Sequence, residues 1–302
     1  MHILVTDSGV GGLSVVAYAE RFVRTHGFTE PVRLTFANAA PANDYGYNSM
    51  RTREEKLETF DRFLRNVTER FAPDSIYVAC NTLSVLLPDT PYFADAPVPV
   101  KGIVETGVEL LLRELAPRSV AMIFGTQTTI DAGTYPRLLI ERGIEPSRIV
   151  SQACPGLADT ISEDREGTRT REEIRGWVSA AIAKMEHAGA PVVAALACTH
   201  YGYRKDDFAA AFEEAGIDAR VVNPNERAAD DLMEDRQSCL SGFSRDRDRQ
   251  GCLSSTTDVE VRFVTRYAIP DATVEALTFF LNEISPRTVA AMRHFEHLPD
   301  LF

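Results

Sequence analysis

The feature that most limits the fold is a series of short, nearly continuous apolar runs set between helix-length amphipathic segments. Runs such as HILVT at 2–6, VAMIF at 120–124 and VVAALA at 192–197 leave no polar face. Strands of that kind must be buried on both sides, the condition of a parallel sheet covered by helices. The pattern predicts strands at 2–6, 33–37, 75–79, 120–124, 148–152, 192–197 and 219–222, with helices in most gaps and the first helix over 13–25. The fold class is therefore α/β with parallel sheets. A chain of 302 residues exceeds one comfortable hydrophobic core, so two lobes are expected.

Two of the apolar runs end alike. IYVACNT at 76–82 and AALACTH at 194–200 each finish in Ala-Cys followed by small polar residues. Cys80 and Cys198 are 118 residues apart, as are Leu4 and Met122, which lie in two further strands that run into polar loops. The common offset implies an internal duplication of an α/β unit. Ligands of open α/β sheets bind beyond the carboxyl ends of the strands, so two similar lobes facing each other place both cysteines in one cleft. The expected division is a first lobe from 1–102 with 222–302 and a second from 103–221. The polar segment 236–258, RQSCLSGFSRDRDRQGCLSSTTD, has no sustained periodicity and reads as a flexible, exposed insertion. Its Cys239 and Cys252 fit no zinc spacing, and no metal is expected.

A formal net charge of -12, unbroken by any basic run, argues against nucleic acid as a partner. The opening residues MHILVTDSG hold no basic leader and no stretch approaches 18 apolar residues, so no membrane association and a cytoplasmic location are expected. Five cysteines without CxxC spacing read as free thiols.

Those thiols carry the chemistry. An ordinary cysteine is only a few per cent thiolate at neutral pH unless its neighbours stabilise the anion. Cys80 is followed by Asn81 and Thr82, and Cys198 by Thr199 and His200, so strand-end amides and polar side chains are expected to reach each sulfur. Inverting a carbon centre by deprotonation requires a base on one face and an acid on the other, with the roles exchanged in reverse. Two facing cysteines meet that need, and fixed donors such as Asn81, Thr82 and Thr199 can stabilise carbanion charge in a dry pocket. Asp7, at a strand's carboxyl end, and His200 are candidates for tuning the thiols or holding an ammonium group. Asp7 also suits a helix N-cap. The run Asp7-Ser8-Gly9-Val10-Gly11-Gly12 matches neither G-x-G-x-x-G nor G-x-x-x-x-G-K, so a carboxylate is a better candidate anion there than a phosphate.

The segments TDSGVGGLSVV, DYGYNS, ACNTLSVL, GTQTTIDAGTY, ACP and ACTHYGY resemble, in this order, the motifs of glutamate racemases, from residue 3 to about 225. The resemblance implies two α/β lobes with the active site between them, a homodimer, no cofactor, a small-molecule amino-acid substrate, and supply of D-glutamate to the bacterial cell wall. It implies that Cys80 and Cys198 are the proton donor-acceptors, assisted by Asp7 and His200. Ser8, Asn81, Thr82, Thr126, Thr129 and Thr199 match substrate-binding positions, and Tyr45 and Gly46 match a loop whose backbone holds the side-chain carboxylate. The chain departs from the family pattern in two places. Ala39-Ala40-Pro41-Ala42 lacks an Arg found there in the family, and Asp44 places an acid beside the carboxylate loop. A glutamate that assists one cysteine falls by counting at Ser162, with Glu163 next to it. These departures leave two alternatives open: a racemase or isomerase of aspartate or another small carboxylate, and an amino-acid-binding protein with impaired catalysis.

Overall fold

The computed structural model describes residues 1–26, 28, 30–241 and 258–302, and of 234–241 the backbone only. Among these residues ten strands form: β1 (His2–Asp7), β2 (Val32–Asn38), β3 (Ser75–Val78), β4 (Val100–Gly102), β5 (Val120–Gly125), β6 (Ile149–Ala153), β7 (Val192–Ala197), β8 (Ala219–Val222), β9 (Val259–Thr265) and β10 (Glu296–His297). They make two sheets, one in the order β10-β9-β2-β1-β3-β4 and the other in the order β6-β5-β7-β8. Every strand pair is parallel. The α/β class and the two lobes with parallel sheets are as the apolar runs predict.

The second sheet repeats the order of β2-β1-β3-β4. The repeat extends to register: Leu4 pairs with Ile76, and Met122 pairs with Ala194, each 118 residues further along. In each sheet the chain leaves the first strand in one direction and returns to its other side, which opens a crevice at the carboxyl ends of β1 and β3 and again at those of β5 and β7. Cys80 follows β3 and Cys198 follows β7, so both crevices hold a cysteine.

Strand pleat decides which core each residue joins. Ile3 and Val5 pack with Val15, Val16 and Leu277 on one side of the first sheet, whereas Leu4 faces the other way. There it shares one cluster with Val78, with Ala121, Ile123 and Val193 of the second sheet, and with Val104, Val108 and Leu111 of the helix Ile103–Glu114. That core runs without interruption from one sheet to the other. The far face of the second sheet packs Met122, Phe124 and Leu196 against Ile174, Val178 and Phe208.

Three short or mixed strands were not expected from the apolar runs: β4, β9 and β10. β9 has the sequence VEVRFVT, in which Glu260 and Arg262 break the run. The helix Pro224–Ser241 extends into the segment expected to be loop from 236 onward, so 236–241 are helical. Of the insertion 236–258, residues 242–257 lie outside the described residues, as do the side chains of Cys239 and Cys252. No described helix is long and apolar enough to cross a membrane.

Candidate active site

The turn after β1 is built around Asp7. Its carboxylate accepts from the Gly9 amide at 3.1 Å and, across the cleft, from the Thr199 hydroxyl at 2.8 Å. It therefore braces the turn and joins the lobes, and it also interacts with the Gly12 amide at the start of the helix Leu13–His26, the position expected of a cap. Glycine is required here by contact: a Cβ on Gly11 would collide with Thr199 and His200, and one on Gly12 with Asp7 itself. The Asp7 side chain is 1% exposed, and burial pushes its pKa up to about 6 against the opposing effect of its hydrogen bonds.

Cys80 precedes the short helix Asn81–Ser84 and Cys198 precedes the turn at Tyr201–Arg204. The Cys80 sulfur lies 3.0 Å from the Ser8 hydroxyl, and the Cys198 sulfur lies 4.0 Å from His200 Nδ1. Both cysteines are buried, and both line the same cavity. The polar neighbours do not outweigh burial at either sulfur. Burial dominates, and the Asp7 charge adds to it, so the Cys80 thiol is pushed up to about 12 and the Cys198 thiol is also raised well above its ordinary value. Burial acts oppositely on imidazole and lowers His200 to about 4.

The cavity encloses about 600 Å³ between the lobes. Of the residues expected at the site, Asp7, Ser8, Gly46, Cys80, Asn81, Thr82, Thr126, Cys198, Thr199 and His200 all line it. Two stand back from it. Thr129 is buried behind the wall, where it forms a cross-lobe hydroxyl cluster with Thr126 and Thr82; the Thr82 and Thr126 oxygens are 2.8 Å apart. The Tyr45 side chain is exposed and its hydroxyl donates to Glu55, so Tyr45 itself stays out of the lining, whereas its neighbours Asp44 and Gly46 are part of it. Ser162 and Glu163 both reach the wall, but the Ser162 hydroxyl donates to the Ala158 carbonyl at 3.0 Å and Glu163 pairs with Arg169.

Several contributors escaped the sequence reading. Tyr135 donates to Asn81 Oδ1 at 2.7 Å, and Asn225 Nδ2 donates to the Thr199 carbonyl at 2.9 Å, so each fixes a cavity residue from a distant part of the chain. Tyr47, Asn48 and Asp159 line the cavity; Asp159 was detectable only as the residue one helical turn before Glu163. Among the described residues no Lys or Arg lines the cavity, whereas Asp7, Asp44, Asp159 and Glu163 do. Among the described residues no cluster suited to a metal ion occurs.

Comparison with known proteins places this arrangement. The chain is 30% identical to a glutamate racemase of Syntrophus aciditrophicus over 247 residues, covering 76% of this chain and 78% of the relative. A glutamate racemase of Nitratiruptor is 28% identical over 237 residues, 78% of this chain and 84% of the relative. The fold matches the crystal structure of a glutamate racemase from Francisella tularensis in complex with D-glutamate, with a TM-score of 0.72 at 19% identity over 99% of this chain and 98% of that one. It also matches isoform RacE1 from Bacillus anthracis, with a TM-score of 0.70 at 22% identity over 93% of each chain. No family model matches the chain. A two-lobe α/β protein with these relatives is an isomerase of the amino-acid racemase class. More narrowly, the chain belongs to the glutamate racemase family.

Proposed function

We propose that the protein interconverts L- and D-glutamate without a cofactor, with Cys80 and Cys198 as the two proton-transfer groups. The observation that carries this reading is that both thiols line one cavity from opposite lobes, each with a proton acceptor of its own nearby. Both thiols are protonated at rest. Asp7, ionised above about pH 6, accepts the Cys80 proton, and His200, neutral above about pH 4, is the corresponding acceptor for Cys198. The thiolate so formed removes the α-proton, and the electron pair spreads into the adjacent carboxylate. The opposite thiol delivers its own proton to the other face, and one proton has been taken up and one released. Substrate ammonium charge entering the cavity favours the thiolate and opposes the desolvation that raises both thiols.

Ser8, Asn81, Thr82, Thr126 and Thr199 supply hydroxyl and amide groups to the substrate, with Thr129 behind them, and the Gly46 backbone meets the side-chain carboxylate. Carboxylate recognition by neutral donors is consistent with a wall that has no Lys or Arg among the described residues. The D-glutamate product would feed peptidoglycan synthesis in the cytoplasm, and a homodimer is the assembly proposed. A second reading, action on aspartate or another small carboxylate, is favoured by Asp44 in the wall beside Gly46, because a substrate whose distal carboxylate reaches less far meets less of that repulsion.

Incubation with L-glutamate in deuterated water tests the proposal, with α-hydrogen exchange followed by proton NMR and D-glutamate by chiral analysis. Exchange with racemisation is expected. Binding without exchange would leave a binding protein, and exchange only with another carboxylate would move the substrate.

A further inference from the structure

Six buried side-chain polar atoms have no hydrogen-bond partner among the described residues: Glu20 Oε2, Tyr47 Oη, Asn81 Nδ2, Gln152 Oε1, Arg204 Nε and Asn225 Oδ1. Only Tyr47 and Asn81 belong to the cavity wall. A buried polar group without a partner is costly in a finished fold and calls for an occupant. The Tyr47 side chain is 1% exposed, and its ring packs edge-on against Phe60 at 6.2 Å, which holds the hydroxyl in place. It sits near enough to Cys80 for the two charges to influence one another, and it directly follows Gly46 in the loop. Asn81 is similarly constrained: Tyr135 takes its Oδ1 and leaves Nδ2 free to donate. Two unpartnered donors thus belong to residues of a cavity wall in which, among the described residues, no Lys or Arg occurs.

The geometry points to Tyr47 as a substrate-binding residue, whose hydroxyl donates to a carboxylate oxygen of the amino acid beside Cys80. This rests on the reading of the cavity as an amino-acid site. It adds a residue that would otherwise be read as an aromatic of the core cluster around Phe60 and Phe63. A hydroxyl held in place before the ligand arrives loses little freedom on binding, which is how a neutral donor can replace a cation.

Tyr47→Phe keeps the ring and removes only the donor. The expected result is a KM for L- and D-glutamate raised about tenfold, the loss of one hydrogen bond to a charged group, with no fall in Tm because the deleted hydroxyl has no protein partner. Binding is read separately as the rise in Tm on adding D-glutamate, which should shrink in the variant. A KM within twofold of the parent, or a fall in Tm with the ligand-induced rise intact, would overturn the assignment. If the parent protein binds D-glutamate but exchanges no α-hydrogen, the racemase reading falls while the binding comparison still decides Tyr47. If it neither binds nor exchanges, both fall.

Discussion

At the ends of β1 and β3 the first lobe presents Asp7, Ser8, Cys80, Asn81 and Thr82; at the ends of β5 and β7 the second presents Gly125, Thr126, Cys198, Thr199 and His200. The strands that carry these two sets share order and register, and the cysteines occupy the same place on each. The residues around the sulfurs do not correspond. Asp7 in one lobe stands against Gly125 in the other, and Thr82 against His200. The scaffold therefore sets where a thiol sits, while the loops decide which titratable group lies beside it. Asp7, raised to about 6, and His200, lowered to about 4, are shifted by the same burial in opposite directions because one gains charge on deprotonation and the other loses it.

The sharpest way to break this comparison is to remove one thiol at a time. Cys80→Ala and Cys198→Ala should each lower racemisation by about a thousandfold. Each should still exchange the α-hydrogen of one enantiomer, a different one in each variant, through the remaining cysteine. Chiral analysis and NMR in deuterated water read both quantities, and either variant racemising at the parent rate would end the two-base account.

The next test separates the acceptors by pH. Exchange by Cys198→Ala, which relies on Cys80 and Asp7, should fall as pH drops through about 6, whereas exchange by Cys80→Ala should hold down to about 4. Coincident profiles would mean that the two acceptors do not act separately. The same shift appears in stability. The fold holds the Asp7 proton more tightly than the unfolded chain, so ionising it between pH 4 and 6 removes about 3 kcal/mol at most. Asp7→Asn should flatten that part of a Tm-against-pH curve and be at least as stable as the parent at pH 7.

A smaller effect is expected at Asn81. Tyr135→Phe leaves its buried Oδ1 without a donor and should cost about 1–3 kcal/mol in urea unfolding. Smallest of all is Glu163→Gln. Its carboxylate is exposed and pairs with Arg169 at the surface, so stability should change by less than about 1 kcal/mol, and racemisation should be nearly unaffected. A large loss of activity there would mean that Glu163 does assist Cys198 in place of the residue at Ser162.

Where the sequence was legible, the signal was local. An apolar strand ending in Ala-Cys and then polar residues announces a cysteine at a sheet's carboxyl edge, and Asp7 is visible in the same way after HILVT. The parallel sheets were legible because both their faces are buried. β9 was not, since Glu260 and Arg262 break the apolar run on the face that ends in the buried Val264, each of them in an ion pair, with Arg33 and Glu296. Tyr135 lies 54 residues from Asn81 and Asn225 26 residues from Thr199, so their roles exist only once the chain has folded. Tyr47 reads as core because its ring is core; only its hydroxyl, which no described residue pairs with, marks it.

The two sheets also differ in how the chain supplies them. The second is drawn from one continuous stretch, Val120 to Val222, whereas the first has β9 from Val259–Thr265 laid beside β2 and β10 beside that. During synthesis from the amino end, β2 is thus an open sheet edge while the whole second lobe is being made. Its hydrogen-bonding groups wait for a strand 227 residues downstream, the separation of Arg33 and Glu260. An open edge of that kind is a template for pairing with the wrong chain. A ribosome stalled or a message truncated after Val222 would release a product with a completed second sheet and an unprotected first one, already carrying both cysteines.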